Sequence, residues 1–398
     1  MSPIIKFKDE AGNNYPEWTI QKVKDLFEIT RGCVLAADNV KISKGQTHPY
    51  PVYSSQTKNN GLMGYYDKYL YENAITWTTD GANAGTVNFR EGKFYCTNVC
   101  GVLLNKDGYA NKCIAEIIGC ISKRYVSYVG NPKLMNNVMS EISILIPCLK
   151  EQEKIASFLT SIDNLISTQE SNISILETYN RGLISKILNQ EIRFKDTDGN
   201  DYSGWSEKTF DELADYKKGP FGSALKKEIF VPKSNTTKKV YEQQHAIEKD
   251  CSIERYFITN EYYEKMKSFS VKKGDIIVSC AGTIGEIYVL PSNTEDGIIN
   301  QALMRVRINN KIINQKFFIT IFDNMISTKG KKLSNGSALK NIPPFADLKK
   351  QITLVPCLEE QEKISNFLTS LDNVLQEEKN YLEYLKTLKK GLLQQMFV

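Results

Sequence analysis

Pro147–Ile166 reads PCLKEQEKIASFLTSIDNLI and Pro356–Leu375 reads PCLEEQEKISNFLTSLDNVL, identical at 14 of 20 positions with an offset of 209 residues. One active site needs its catalytic residues once, so a segment carried twice reads as a structural device serving two similar things. From each block a series of residues runs on in alternating steps of four and three. The first is Ile155, Leu159, Ile162, Ile166, Gln169, Ile173, Leu176, Asn180, Leu183 and Ile187; the second is Ile364, Leu368, Leu371, Leu375, Glu378, Leu382, Leu385, Lys389, Leu392 and Met396. That spacing marks the seam of a helix paired with another helix. The polar interruptions fall at the same two register positions in both series, and polar seam residues specify pairing at some cost in stability. Pro147 and Pro356 stop the preceding strands. The acidic runs KEQE and EEQE suit a helix N-terminus, where the macrodipole favours negative charge.

A second repeat sets the plan of the chain. Ile5–Trp18 reads IKFKDEAGNNYPEW and Ile192–Trp205 reads IRFKDTDGNDYSGW, with an offset of 187. The offsets differ by 209 − 187 = 22, so the segment between the repeats is 22 residues longer in the second half. The expected order is a first domain with its N-terminal linker (1–146), a first helix (147–190), a linker with a second domain (191–355) and a second helix (356–398). A 40-residue helix is about 60 Å long, and the linker Glu191–Gly204 spans at most about 46 Å when fully extended. The second helix therefore starts near the end of the first and runs back, which predicts antiparallel pairing. Parallel pairing would instead set Gln169 against Glu378 and Asn180 against Lys389. The N-terminal segment then reads as if it continued from the end of the second helix, and the whole is a pseudo-twofold internal repeat.

At 398 residues the chain has room for two or three domains with sizeable cores. Nine cysteines without a CxxC pair point to free thiols in a reducing cytoplasm. The start, MSPIIKFKDE, has no apolar signal core, and nowhere do 18 apolar residues run together, which argues against secretion and membrane spanning. A net charge of +5 permits a polyanionic partner without requiring one.

The variable segments read as β-rich and mutually divergent, so the fold class is α+β. Gly274–Leu290, GDIIVSCAGTIGEIYVL, is a strand, a glycine-punctuated turn and a strand; Ala74–Phe89, AITWTTDGANAGTVNF, occupies the comparable place in the first half. YCTNVCGVLL follows in the first half where INQALMRVRI stands in the second. In Ala302–Ile308 the alternation puts Arg305 and Arg307 on one face of a strand.

Two divergent domains alternating with two near-identical helices, the P-x-L-x-E-Q-x-x-I helix start and the GDIIVSCAGTIG stretch together resemble the specificity subunit of type I restriction-modification systems, over the whole chain. The resemblance implies that each variable segment is a target-recognition domain reading one half of a bipartite site in double-stranded DNA. It further implies that the paired helices set the spacing and dock two methyltransferase subunits, which use S-adenosylmethionine, and that restriction subunits join that core. The chain itself then needs no cofactor and no catalysis. The residues agree. Asn341-Ile342-Pro343-Pro344-Phe345 interrupts the Asn-Pro-Pro order that holds a flipped adenine, no glycine-rich cofactor loop accompanies it, and His48 and His245 are the only histidines. A scaffold for protein partners, without a DNA role, is the alternative.

Candidate DNA contacts are polar or basic residues on turns and exposed faces, since Asn and Gln read adenine edges, Arg and Lys guanine, and hydroxyls phosphates. In the first domain they are Ser54, Gln56, Lys58 and Asn59 of a polar loop in a tyrosine-rich stretch, with Thr78, Thr79 and Asn83 of a turn. In the second they are Lys217, Lys218 and Ser223 of KKGPFGS, then Gln243, Gln244, His245, Arg305, Arg307, Lys331 and Lys332.

Overall fold

The structure, a computed structural model, describes residues 4–56, 58–333 and 345–397. Two 40-residue helices, Leu149–Leu188 and Leu358–Phe397, fill most of the blocks 147–190 and 356–398. Every residue of both four-three series is buried or half-buried. The chain forms two compact units, Met1–Ser174 with Glu377–Val398, and Ile175–Gln376. Those units cut across the four-part division drawn from the repeats, because a long helix has no core of its own and each half of it is held by the domain it packs on.

In the first unit the helices run antiparallel. Lys386 pairs with Glu170 at 3.0 Å and Lys389 with Asp163 at 2.7 Å, and Met396 shares a core with Ile155, so one number rises as the other falls. In the second unit the end of the first helix meets the start of the second: Ile187 lies in one core with Ile364 and Leu368. The Gln169–Glu378 contact, an apparent mark of parallel pairing, occurs in this antiparallel pair. Gln169 Nε2 donates to the Glu378 carbonyl at 3.1 Å and to its carboxylate. Each residue stands 20 positions beyond the start of its helix, Leu149 or Leu358, so the two meet whichever way the helices run. Lys389 serves a different purpose from a seam layer with Asn180. Its ammonium is held by Asp163 and by Glu116 at 3.0 Å, tying both long helices to the helix Lys112–Ser122.

The first domain contains strands β1 (Thr19–Lys22), β2 (Glu28–Arg31), β3 (Tyr50–Tyr53), β4 (Leu62–Tyr66), β5 (Tyr71–Thr78), β6 (Val87–Cys96), β7 (Cys100–Leu104) and β8 (Ser143–Ile146). β1 pairs with β8, and the other six form one sheet in the order β2-β7-β5-β6-β3-β4. All its pairings are antiparallel except β3 with β6, which sets Val52 opposite Tyr95. Ile75, Trp77 and Leu103 of this sheet join Ile114 and Ile118 of the Lys112–Ser122 helix and Ile155, Leu159 and Met396 of the long helices in one core. Each fully buried side chain of this kind contributes about 1.5–3 kcal/mol, so domain and helix ends stand or fall together.

The second domain has strands β9 (Ser206–Thr209), β10 (Ala214–Lys218), β11 (Thr237–Tyr241), β12 (Phe257–Thr259), β13 (Ser270–Val271), β14 (Ile276–Ser279), β15 (Ile287–Val289), β16 (Gly297–Ile299), β17 (Leu303–Ile308) and β18 (Ile352–Val355). β9 pairs with β18 as β1 does with β8. The sheet β10-β17-β14-β15 repeats the order β2-β7-β5-β6, and the parallel pair β11–β16 repeats β3–β6. The difference is one break: β6 runs unbroken for 10 residues, whereas its counterpart is split into β15 and β16. Pro291 and Gly297 bracket the interruption, which separates one sheet into two.

Candidate nucleic-acid interface

β2 and β10 both run into a glycine, Gly32 and Gly219, 187 residues apart like the linkers. A Cβ on Gly32 would lie 2.3 Å from the carbonyl oxygens of Cys96 and Thr97; one on Gly219 would lie 1.8 Å from the Asn300 oxygen. The chain crosses the end of β6 or β16 here with no room for a side chain. Ala at either position is expected to destabilise its own unit by about 1–3 kcal/mol or more, the usual result of overpacking, seen as a lowered melting temperature.

Beyond Gly32, the loop after β3 and the turn after β5 enclose a polar cavity of about 60 Å³. Ser54, Gln56, Asn60, Thr76, Trp77, Thr78, Thr86, Asn88, Arg90 and Cys100 line it. Asn59, Asn60 and Gly61 have φ of +49°, +51° and +85°, a left-handed run that Asn and Gly tolerate best, and it turns the loop back over the sheet. Asn83 Nδ2 donates to the Ser55 carbonyl at 3.1 Å, joining loop and turn, and Thr97 Oγ1, between β6 and β7, donates to Ser54 Oγ at 3.1 Å. Of the expected contacts, Ser54, Gln56 and Thr78 thus share one cavity; Asn83 braces it and Asn59 is exposed beside it. The side chain of Lys58 lies outside the described residues. Thr79 is a correction: it is fully buried, and its hydroxyl meets Asp80, the Val99 carbonyl and Arg31.

In the second domain an open cleft of about 300 Å³ is lined by Glu242, Gln243, Gln244, Arg255, Ala281, Gly282, Asn300 and Ala302. Gln243 Oε1 is buried without a hydrogen-bond partner, leaving an acceptor for a donor from outside. Asn300, against which Gly219 packs, connects this cleft to the end of β10, where Lys218 is exposed, and to the following turn, where Ser223 is exposed. Lys217 is half-buried, its ammonium 4.9 Å from the centroid of the Phe269 ring.

Two further expectations are corrected. Arg305 and Arg307 share a face, as their alternation requires, but that face is internal: both donate to the Ser270 carbonyl. Arg307 also holds the buried Asp275 with two bonds, at 2.7 and 2.9 Å, and Arg305 reaches Asp215. They fasten β17 to the segment 268–275. His245 is fully buried in a neutral form, Nδ1 accepting from the Glu242 N–H at 3.0 Å and Nε2 donating to the Ile253 carbonyl at 3.0 Å; burial lowers its pKa. Lys331 and Lys332 lie on the helix Gln315–Leu333, and their side chains lie outside the described residues. So does Asn341–Pro344, hence the interrupted Asn-Pro-Pro. Gly81, Gly85, Gly282 and Gly285 all have positive φ and turn the chain between strands. Among the described residues no three His, Cys, Asp or Glu side chains come together to hold a metal. Burial raises the Cys100 thiol to about 11, so it stays protonated.

The acidic runs of the repeated block suit a helix start, and the side chains of their identical Glu-Gln do more. Glu151 and Gln152, and again Glu360 and Gln361, are buried. Trp18 Nε1 donates to Glu151 at 3.0 Å and Trp205 Nε1 to Glu360 at 3.1 Å. Gln152 and Gln361 each donate to the carbonyl of the block's proline, Pro147 or Pro356, at 2.8 Å. Lys154 holds the Lys8 carbonyl as Lys363 holds that of Lys195. The N–H groups of Ile4 and Ile5 donate to the Gln395 carbonyl, as those of Glu191 and Ile192 do to Lys186. The segment from Ile4 thus docks on the end of the second helix as the linker continues the first.

These features define a non-identical pair of recognition domains, each with a polar cleft, carried on two long helices. The model of the type I restriction modification DNA specificity domain matches residues 15–178 and again 202–386, and the chain belongs to that family of DNA-binding specificity subunits. It is 24% identical over 409 residues to the specificity subunit of the type I restriction enzyme MjaVIII of Methanocaldococcus jannaschii, covering 97% of this chain and 94% of that one. It is 28% identical over 354 residues, 88% of each chain, to a Mycoplasma pneumoniae protein assigned as a type I specificity subunit. The crystal structure of the S subunit of a type I restriction-modification system from M. genitalium shares the fold, with a TM-score of 0.56 and 18% identity over 100% of this chain and 99% of that one.

Proposed function

We propose that each recognition domain reads one half of a bipartite duplex target, while the paired helices set the spacing and dock two methyltransferase subunits. S-adenosylmethionine is held by those partners, restriction subunits join the same core, and the assembly works in the cytoplasm. The observation that carries this reading is the doubling. Each unit repeats the same four-strand order, with its own glycine crossing and its own polar cleft, on half of each long helix. Hydroxyls and amides line the first cleft, and the amides of Gln243, Gln244 and Asn300 with Arg255 and Glu242 line the second, polar groups suited to phosphates and base edges rather than to an apolar protein partner. Among the described residues no helix is long and apolar enough to cross a membrane.

Methylome sequencing of a host with and without this chain tests the reading. A bipartite motif methylated only in its presence is the expected result, and an unchanged methylome would overturn it. The purified chain alone is expected to transfer no radiolabelled methyl group to DNA, and to support transfer once methyltransferase subunits are added.

A further inference from the structure

Arg90 is a buried cation without a carboxylate. It stands on β6 opposite Ala74 of β5 and is only 7% exposed. The described arginine ion pairs are those of Arg31, Arg193, Arg255, Arg305 and Arg307; Arg90 is not among them. The buried Lys239 is compensated by Glu295 at 2.8 Å, and the half-buried Lys389 by Asp163 and Glu116. What holds Arg90 is neutral. Its Nε donates to Thr76 Oγ1 at 3.0 Å, and its guanidinium carbon lies 3.8 Å from the centroid of the Tyr53 ring. The Gly61 backbone closes over it, so that a Cβ there would stand 3.2 Å from Nη2. Burial lowers its pKa, but a guanidinium stays charged. An ion taken from water without a counter-ion destabilises the fold, and such a group persists where a ligand supplies the missing charge.

Arg90 lines the polar cavity with Ser54, Gln56, Asn60 and Thr78, none of them anionic. We propose that this cavity is an oxyanion site in which Arg90, aided by the hydroxyls and amides around it, binds a phosphodiester of the bound duplex. The inference rests on the reading that the first domain binds DNA. A base-reading arginine must project into a groove, whereas this one is fixed below the surface by Thr76 and Tyr53.

The test measures binding of the full chain, with methyltransferase subunits present, to random-sequence duplex over a range of salt. Arg90→Met is expected to weaken binding about 10- to 100-fold, as loss of a charge-assisted contact does. It should lower the slope of log K against log salt by about 1, equally on every duplex. The DNA-free variant should melt no lower than the unsubstituted chain, because an uncompensated charge has gone. Arg90→Lys should restore the slope, and keeps the test decisive if the Met variant does not fold. Unchanged affinity and slope in both variants, a loss confined to one base position of the target, or parallel falls in melting temperature and affinity in both variants would each overturn the proposal. Absence of salt-dependent binding by the unsubstituted chain would overturn the DNA reading itself, and this inference with it.

Discussion

Replacing residues 206–355 with the corresponding domain of a relative is expected to rewrite one half of the methylated sequence and leave the other half and the spacing unchanged. The reason lies in how each domain is bounded. β9 enters directly after the linker tryptophan Trp205, and β18 leaves directly before Pro356, so both ends of the exchanged piece lie on the two-stranded β9–β18 ribbon. Trp205 and Glu360, which lock linker to helix at 3.1 Å, stay outside the exchanged piece. The incoming domain therefore meets the same docking layer, while its own loops bring new base contacts. Energetic contributions of groups more than about 10 Å apart are nearly additive, and a base mismatch in one half-site costs about 1–3 kcal/mol without altering the other. Insertion of a heptad in each long helix should do the opposite, changing the spacing or abolishing methylation with half-site preference retained. Methylome sequencing of the chimaeras decides it: a single exchange that rewrote both half-sites would show that the domains read jointly.

The second large effect is expected from Leu385→Asp. Leu385 is 5% exposed in the first unit, and an aspartate there is a buried charge without a partner, costing about 3–5 kcal/mol. That corresponds to a fall of roughly 10 °C or more in melting temperature for a unit of this size, with loss of methyltransferase assembly. Leu176→Asp, at a half-buried position of the second unit, should cost less, because its carboxylate can turn towards water. Thermal melts of both variants check the seam. If Leu385→Asp melted like the unsubstituted chain, the residue would not lie in the interhelical core.

The four-three series, its two polar interruptions and the duplicated linker were legible in the sequence, and so was antiparallel pairing, because each follows from periodicity or chain reach. These are local properties that a repeat displays twice. The docking layer was half legible. Glu-Gln is identical in both copies, but the burial of Glu151 and Glu360 against Trp18 and Trp205 joins residues 133 and 155 positions apart. Gly32 and Gly219 share the 187-residue offset and could have been found by it. What no pattern carried was the division of polar residues between cleft and interior. Arg305, Arg307, His245 and Thr79 have the chemistry of DNA contacts and are spent inside the domains, while Arg90 and Asn88, unremarked in their strand, line a cavity. Whether a polar side chain on a strand meets a carboxylate, a carbonyl or an opening depends on which segment crosses that face. The sequence determined the doubled scaffold; the packing of loops on each sheet decided which polar groups remain for a ligand, since burial and pairing belong to contacts between distant residues.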